Sequence, residues 1–362
     1  MIHKKEMLNR SLKNLGDSSR LLNVFMKAAR GEKISYVALG GSITEGYHST
    51  DKKNKCYAAL VYHWLKEHFP MAEVEFHNAG IPATSSLTGS YRLQRDVIKY
   101  NPDLVTVEFA VNDYVRTMAV EDSYDYILHA LLNAESKPAV IAFNMVCQDG
   151  GSAQGVHFPI AEYYDIPYIS FADGFWPEIE ANNLQWESFY CDNVHPNDMG
   201  HALAGDMLCN YLEQILSSDK SKERAVPDGM KNGQAAYPRR LYYFGELPVE
   251  SYGVFKEGHS LADGFDSIWS TCENGDPLVM KLENVHRLFI LTENTNSGFG
   301  GKAELNINGN TSVLDTDFAG GFGVMAKSED VFESDQGQDI TVTVSPKLED
   351  GKSFGLIALL VS

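Results

Sequence analysis

The feature that most constrains the fold is an alternation of texture between residues 34 and 216. Apolar runs stand at ISYVALGGS (34–42), VEFHNAG (74–80), DLVTVEFAVND (103–113), PAVIAFNMV (138–146) and IPYIS (166–170). Segments of helical spacing separate or follow them, at 56–69, 89–100, 121–134 and 197–216. A strand with one wet face alternates apolar and polar residues, whereas a run apolar throughout has to be covered on both sides. The order therefore predicts an α/β fold, a three-layer α/β/α domain around a parallel sheet. In such sheets the chemistry gathers beyond the carboxyl ends of the strands.

The flanking segments read differently. Residues 1–33 are predicted to be a helical segment, with Leu12, Leu15, Leu22, Phe25 and Ala29 in partial helical spacing. It would pack on another surface, and a homodimer is left open. The α/β domain takes 34–218, and a polar stretch with Pro and Gly, 219–236, reads as a linker. From 237 to 362 short runs such as LYYFGEL, VMKLENV, RLFILTEN, AELNING, DITVTVSP and FGLIALLVS alternate with turn residues. These predict a C-terminal β-sandwich of jelly-roll type.

Composition narrows the partners. A formal net charge of -19 over 362 residues argues against binding a phosphate backbone or an anionic membrane. A neutral or cationic substrate suits this field better. The five cysteines form no CxxC pair, which speaks against a disulfide framework and a structural zinc site. The polar start, with no apolar stretch behind its basic residues, does not read as a secretory signal. The expected location is cytoplasmic.

Four short segments carry the candidate chemistry. In GGSITEG, Ser42 follows two glycines at the end of a buried run, which suits a nucleophile on a sharp turn or a serine that caps the next helix. In DNVHP, Asp192 and His195 are three apart, so both side chains can face one way in a turn; a plain polar turn before a helix fits as well. Asn112, in AVNDY, can present an amide donor or belong to an Asn–Asp turn. Gly80, in NAGIPATSS, offers a backbone N–H or a simple tight turn. His201 reads as a surface or core histidine rather than a metal ligand, being six residues from His195 and off its helix face. Met71, Met118 and Met145 read as core filler.

Taken together and in order, these blocks resemble the SGNH hydrolases, also called the GDSL family. The blocks are GGSIT, NAGIPATSS, VEFAVNDY and DNVHPNDMGH, and the resemblance spans about 34–216. Gly41 stands where the family has Asp, and Ala110 where it has Gly. The GDSS at 16–19 follows no strand and is a decoy. The resemblance implies a flavodoxin-like domain and a serine esterase mechanism through an acyl-enzyme. Ser42 would be nucleophile, His195 base and Asp192 its orienting carboxylate. Ser42, Gly80 and Asn112 would form the oxyanion hole, with no metal and no cofactor.

A hydrolase domain followed by a β domain also looks like the two-domain bacterial carbohydrate acetylesterases. That resemblance implies acetylated oligosaccharide substrates, manno-oligosaccharides before xylo-oligosaccharides. Tyr47, His48, Tyr114 and Gln148 are candidates for the substrate rim, and Trp269 and Phe299 for stacking on sugar rings. The alternatives are a lipid or thioester acylhydrolase and a catalytically silent glycan-binding protein.

Overall fold

A computed structural model describes residues 2–114, 119–218, 224–233, 237–319 and 323–362. Met118 and parts of the 219–236 segment lie outside the described residues. The chain divides into two compact units, Met1–Ala236 and Tyr237–Ser362.

In the first unit, α1 (Ile2–Arg10), β1 (Leu12–Asn14) and α2 (Ser19–Ala29) precede β2 (Ile34–Gly40). Then come α3 (Ser42–Glu45), α4 (Tyr57–His68), β3 (Val74–Gly80), α5 (Ser86–Asp96), β4 (Leu104–Glu108), α6 (Ala110–Tyr114) and α7 (Val120–Leu132). The unit closes with β5 (Ala139–Asn144), α8 (Gln154–Tyr163), β6 (Tyr168–Ser170), α9 (Phe171–Glu180) and α10 (Asp198–Leu216). The strands form one sheet in the order β1-β6-β5-β4-β2-β3, parallel except for β1, which runs antiparallel to β6.

β2 shows why the apolar runs are continuous. Ile34, Tyr36 and Ala38 enter one core with Phe25 of α2, Trp64 of α4 and Leu208 of α10. Val37 and Leu39 enter the other core with Leu93 of α5 and Tyr124, Ile127 and Leu128 of α7. Every β2 residue is buried, so neither face tolerates a polar alternation. β3 lies at the edge and is only partly buried, which matches its more polar sequence.

The order of the parallel strands creates the site. After β2 the chain places β3 on one side and then crosses to place β4 on the other. The carboxyl end of β2 is therefore the switch point at which a crevice opens, and Ser42 follows it directly.

Several sequence expectations change. The leading segment is not helical throughout, because Leu12 and Asn14 pair with Ile169 and Tyr168 as an edge strand. The face of α2 with Leu21, Val24, Phe25 and Ala28 is buried within this unit. The run 103–113 stops being a strand at Glu108, whose side chain accepts the Ala110 N–H at 2.9 Å and so turns the chain into α6. Part of the expected linker lies on the first unit. The Arg224 N–H donates to Asp17 at 2.9 Å, the Asn232 N–H to Asp125 at 2.9 Å, and Met230 is buried. Met145 is core, but Met71 is 80% exposed and fills nothing.

The second unit holds β7 (Arg240–Tyr242), β8 (Val249–Ser251), β9 (Lys256–His259), β10 (Ser267–Thr271) and β11 (Leu278–Thr295). It continues with β12 (Lys302–Ile307), β13 (Asn310–Asp315), β14 (Val324–Lys347) and β15 (Phe354–Val361). They form one antiparallel sheet, order β13-β12-β14-β11-β15-β10-β9, with β7 joined to β15 and β8 to β11. Register shifts near Leu282, Val285 and Leu288 interrupt the long β11–β14 pairing. Such irregularities bend strands and let one sheet curl around a core. That core contains Trp269, Leu278, Leu305, Val342 and Leu356.

Candidate active site

The nucleophile turn is built by close approach. The Gly41 N-cap has φ -93 and ψ -149, and the short α3 begins at Ser42. A Cβ added to Gly41 would lie 2.4 Å from Asn112 Oδ1, so the residue must be glycine for Asn112 to sit there. The Ser42 carbonyl accepts the N–H groups of Gly46 and Tyr47, both at 3.0 Å, which locks the turn. Beneath it, the buried Arg92 donates to the Gly40 carbonyl at 2.9 Å and to the Ala79 carbonyl at 2.7 Å. One guanidinium thereby joins the ends of β2 and β3, while Asp96 balances its charge at 3.0 Å. Burial works against the Asp96 carboxylate, but the Arg95 and Arg92 guanidiniums outweigh it and hold its pKa below the ordinary value.

The turn before α10 supplies the imidazole. Ser42 Oγ lies 2.9 Å from His195 Nε2, and His195 Nδ1 lies 2.8 Å from Asp192 Oδ2. Asp192 Oδ1 accepts the backbone N–H groups of Val194 at 2.7 Å and His195 at 2.6 Å. The three-residue spacing works because one carboxylate oxygen closes the turn and the other faces the ring. Partial burial tends to raise the Asp192 pKa. The hydrogen bonds from the His195 ring, the two backbone N–H groups and the His195 charge prevail and hold it below the usual carboxylate value. Behind the turn, Trp186 Nε1–H donates to the Asp192 carbonyl at 2.7 Å, and its ring stacks on Tyr190 at 3.7 Å. The Gln148 N–H donates to the Asn193 carbonyl at 2.9 Å, tying the loop after β5 to the same turn.

Three groups were expected to hold an oxyanion, and their positions differ. Among the described residues, the Ser42 N–H and the Asn112 side-chain amide donate to no protein acceptor. Asn112 Oδ1 is buried without a partner against Gly41. The Gly80 N–H, in contrast, is committed to Asn78 Oδ1 at 2.9 Å. Asn78 also donates to the Thr44 carbonyl at 2.8 Å. Gly80 has its own reason to be glycine, since an added Cβ would lie 2.2 Å from the Glu45 nitrogen of α3. The structure thus explains Gly80 by packing of β3 against the nucleophile helix.

Sequence reasoning missed two supports. Asp113 and His157 form a fully buried pair at 2.8 Å, and Asp113 also accepts the Ser86 N–H at 2.9 Å. This pins the loop after β3 to the helix that carries Asn112, with Tyr124 stacked on the His157 ring at 3.7 Å. Glu108 is buried and its carboxyl is pushed up to about 8 by desolvation. The partners of Asp113 lie 27 and 44 residues away, so only folding brings them together, and Glu108 is marked by burial rather than by its local bond to the Ala110 N–H.

The rim candidates separate. Tyr47 is exposed and its ring lies 4.7 Å from that of His195, while His48 Nε2 lies 3.5 Å from Asp192 Oδ2. Tyr114 is exposed and donates to Asp149 at 3.3 Å, and Gln148 is exposed. Trp269 is 0% exposed in the core of the second unit, so it cannot stack on a sugar. Phe299 is half-buried in the Ser297–Phe299 loop region of that unit. His201 is buried and braces the turn. Its Nδ1 faces the Tyr57 N–H at 3.4 Å and its Nε2 faces the Tyr47 carbonyl at 3.3 Å. Desolvation depresses its pKa to about 4.

Residues 38–203 match the model of the GDSL-like lipase/acylhydrolase family. No curated protein sequence matches the chain. Among solved structures the chain is similar to a two-domain esterase (CEX) active on acetylated mannans, co-crystallized with mannopentaose. The TM-score is 0.90 at 26% identity, over 98% of each chain. A further structure of a two-domain esterase (CEX) active on acetylated mannans gives 0.91 at 27% identity, again over 98% of each. The likeness covers both units.

Proposed function

We propose that this carboxylic ester hydrolase, whose residues 38–203 match the GDSL-like lipase/acylhydrolase family, removes O-acetyl groups from plant-polysaccharide oligosaccharides, acetylated manno-oligosaccharides first and xylo-oligosaccharides next. The observation that carries this reading is the unbroken relay from Ser42 through His195 to Asp192 at the end of β2. The acetylated-mannan activity of the two similar esterases supports the substrate class.

In this reading His195 Nε2 takes the Ser42 proton as Oγ attacks the acetyl carbonyl. Asp192 keeps the other ring proton on Nδ1 and stabilises the imidazolium. The Ser42 N–H and the Asn112 amide hold the oxyanion, since each stands without another acceptor. Gly80 would contribute only if its bond to Asn78 opened. The sugar hydroxyl leaves with the proton from His195, and water activated by the same ring frees acetate. Tyr47, beside the imidazole, lines the approach.

The test is hydrolysis of p-nitrophenyl acetate against the octanoate ester, with Ser42→Ala as control. Acetate should be preferred, and the variant should lose roughly 10⁴-fold or more. Mass spectrometry of acetylated mannan and xylan fragments before and after treatment should show losses of acetyl groups. Preference for octanoate would indicate a lipid or thioester hydrolase. Binding of fragments without acetate release would indicate a silent glycan-binding protein.

A further inference from the structure

We propose that His48, Asp192 and His195 together bind a divalent transition cation such as Zn2+, and that this binding switches the relay off. The inhibitory consequence rests on the esterase reading above; the binding itself does not. One ligand atom from each of the three residues lies within 4.8 Å of the other two. Asp192 Oδ2 is shared: it lies 2.8 Å from His195 Nδ1 and 3.5 Å from His48 Nε2. Two imidazole nitrogens and one carboxylate oxygen form a donor set suited to Zn2+ and its neighbours, and unsuited to Mg2+.

The geometry is close to what a tetrahedral ion requires. Zinc bonds of about 2.0–2.1 Å place ligand atoms roughly 3.3 Å apart. Both edges through Asp192 are within about half an ångström of that. The remaining edge, between the two imidazoles, has to shorten by at most about 1.5 Å. The His48 side chain is 39% exposed, so its ring has room to swing. Its backbone is already fixed in the left-handed region, at φ 65, and its ring packs edge-on against Tyr47 at 4.5 Å. The open side of the three ligands leaves a place for water as the fourth.

The chemistry makes such an ion inhibitory. In the relay, His195 carries its proton on Nδ1, facing Asp192, and offers a lone pair on Nε2 to Ser42. A metal at Nδ1 needs the lone pair of the other neutral tautomer, so the single ring proton leaves Nδ1 and one is taken up on Nε2, with no net proton released by His195. The neutral ring then carries its single proton on Nε2, the nitrogen 2.9 Å from Ser42 Oγ. Nε2 becomes a donor, and Ser42 loses its base. Asp192 is drawn to the ion at the same time. No electron is transferred; the bonds that change within the protein are the Nδ1–H bond of His195, which breaks, and the Nε2–H bond, which forms.

The experiment has two independent readouts on the full chain. Calorimetric titration with Zn2+ should show one site in wild type, retained in Ser42→Ala and weakened roughly tenfold or more in His48→Asn. Asparagine is chosen because it tolerates the left-handed backbone; His48→Gln serves as a second variant. In p-nitrophenyl acetate assays, each protein is compared with its own metal-free rate. Zn2+ should inhibit wild type, a chelator should reverse it, Mg2+ should have no effect, and the His48 variants should need about tenfold more Zn2+. Failure of wild type to bind Zn2+, equal affinity in both His48 variants, or full activity with the site loaded would each overturn the proposal. Absence of esterase activity in metal-free wild type would instead overturn the esterase reading and with it the switch, while the titration still decides the site.

Discussion

Asp192 serves three donors with two oxygens: two backbone N–H groups on Oδ1 and the His195 ring on Oδ2. An amide cannot do this. In Asp192→Asn, the amide oxygen can keep the backbone pair, which turns the NH2 toward Nδ1. His195 must then accept there and hold its proton on Nε2. Asp192→Asn is therefore expected to lower kcat by about 10⁴-fold with little change in KM, and with the fold intact by circular dichroism. A kcat within tenfold of wild type would argue that Asp192 is a turn residue and no more. At this scale the sequence marked Ser42 and the Asp192–His195 pair as candidates through the order of the four blocks, and the structure brings their side chains within hydrogen-bond distance. It left two readings open where a residue type serves two ends. Gly80 is a glycine because the α3 backbone passes over it, and Trp269 is aromatic because it fills a core. Neither reason is visible without the neighbour.

Among the elements, α10 holds the segment after the nucleophile helix and the start of α4 through His201, at the Tyr47 carbonyl and the Tyr57 N–H. The ring is buried neutral, with its pKa about 4 against an ordinary 6.5. The unfolded chain takes up the proton first as pH falls. The stabilisation is therefore complete above about pH 6.5 and is lost as pH drops towards 4, on the order of 3 kcal/mol in all. Urea unfolding at pH 7 and pH 4.5 should show this loss in wild type and a smaller one in His201→Gln. Equal losses would show that other groups carry the acid sensitivity. The elements that sequence periodicity announced were the buried strands and the helices α4, α5, α7 and α10. It did not announce α8 and α9, each of which contains a proline, Pro159 and Pro177, that breaks the expected pattern. Nor did it announce β1, whose three residues are too few to show a period. The first half of β14 is polar and reads as loop, yet it pairs along β11.

For the whole molecule, the net charge of -19 sets a repulsive field for anions. Acetyl esters of a neutral sugar should show a kcat/KM nearly independent of salt. Acetyl esters of an anionic sugar should start lower and rise several-fold between low salt and about 0.5 M, as screening shortens the reach of the field. A flat response for both would mean that the approach to Ser42 is locally shielded from the rest of the charge. The sequence by itself determined the fold class of the first unit, because burial on both faces writes an unmistakable apolar run. It also marked the catalytic candidates, because four short blocks, each compatible alone with a plain turn, stand together in one order along the chain. Only the tertiary structure decided which donors stand ready and which are committed. It also decided that Arg92 joins two strand ends, that Asp113 and His157 brace the Asn112 helix, and that His48 reaches the carboxylate of the relay. Those outcomes depend on groups tens of residues apart meeting within a hydrogen-bond length, and no local pattern along a chain encodes such a distance.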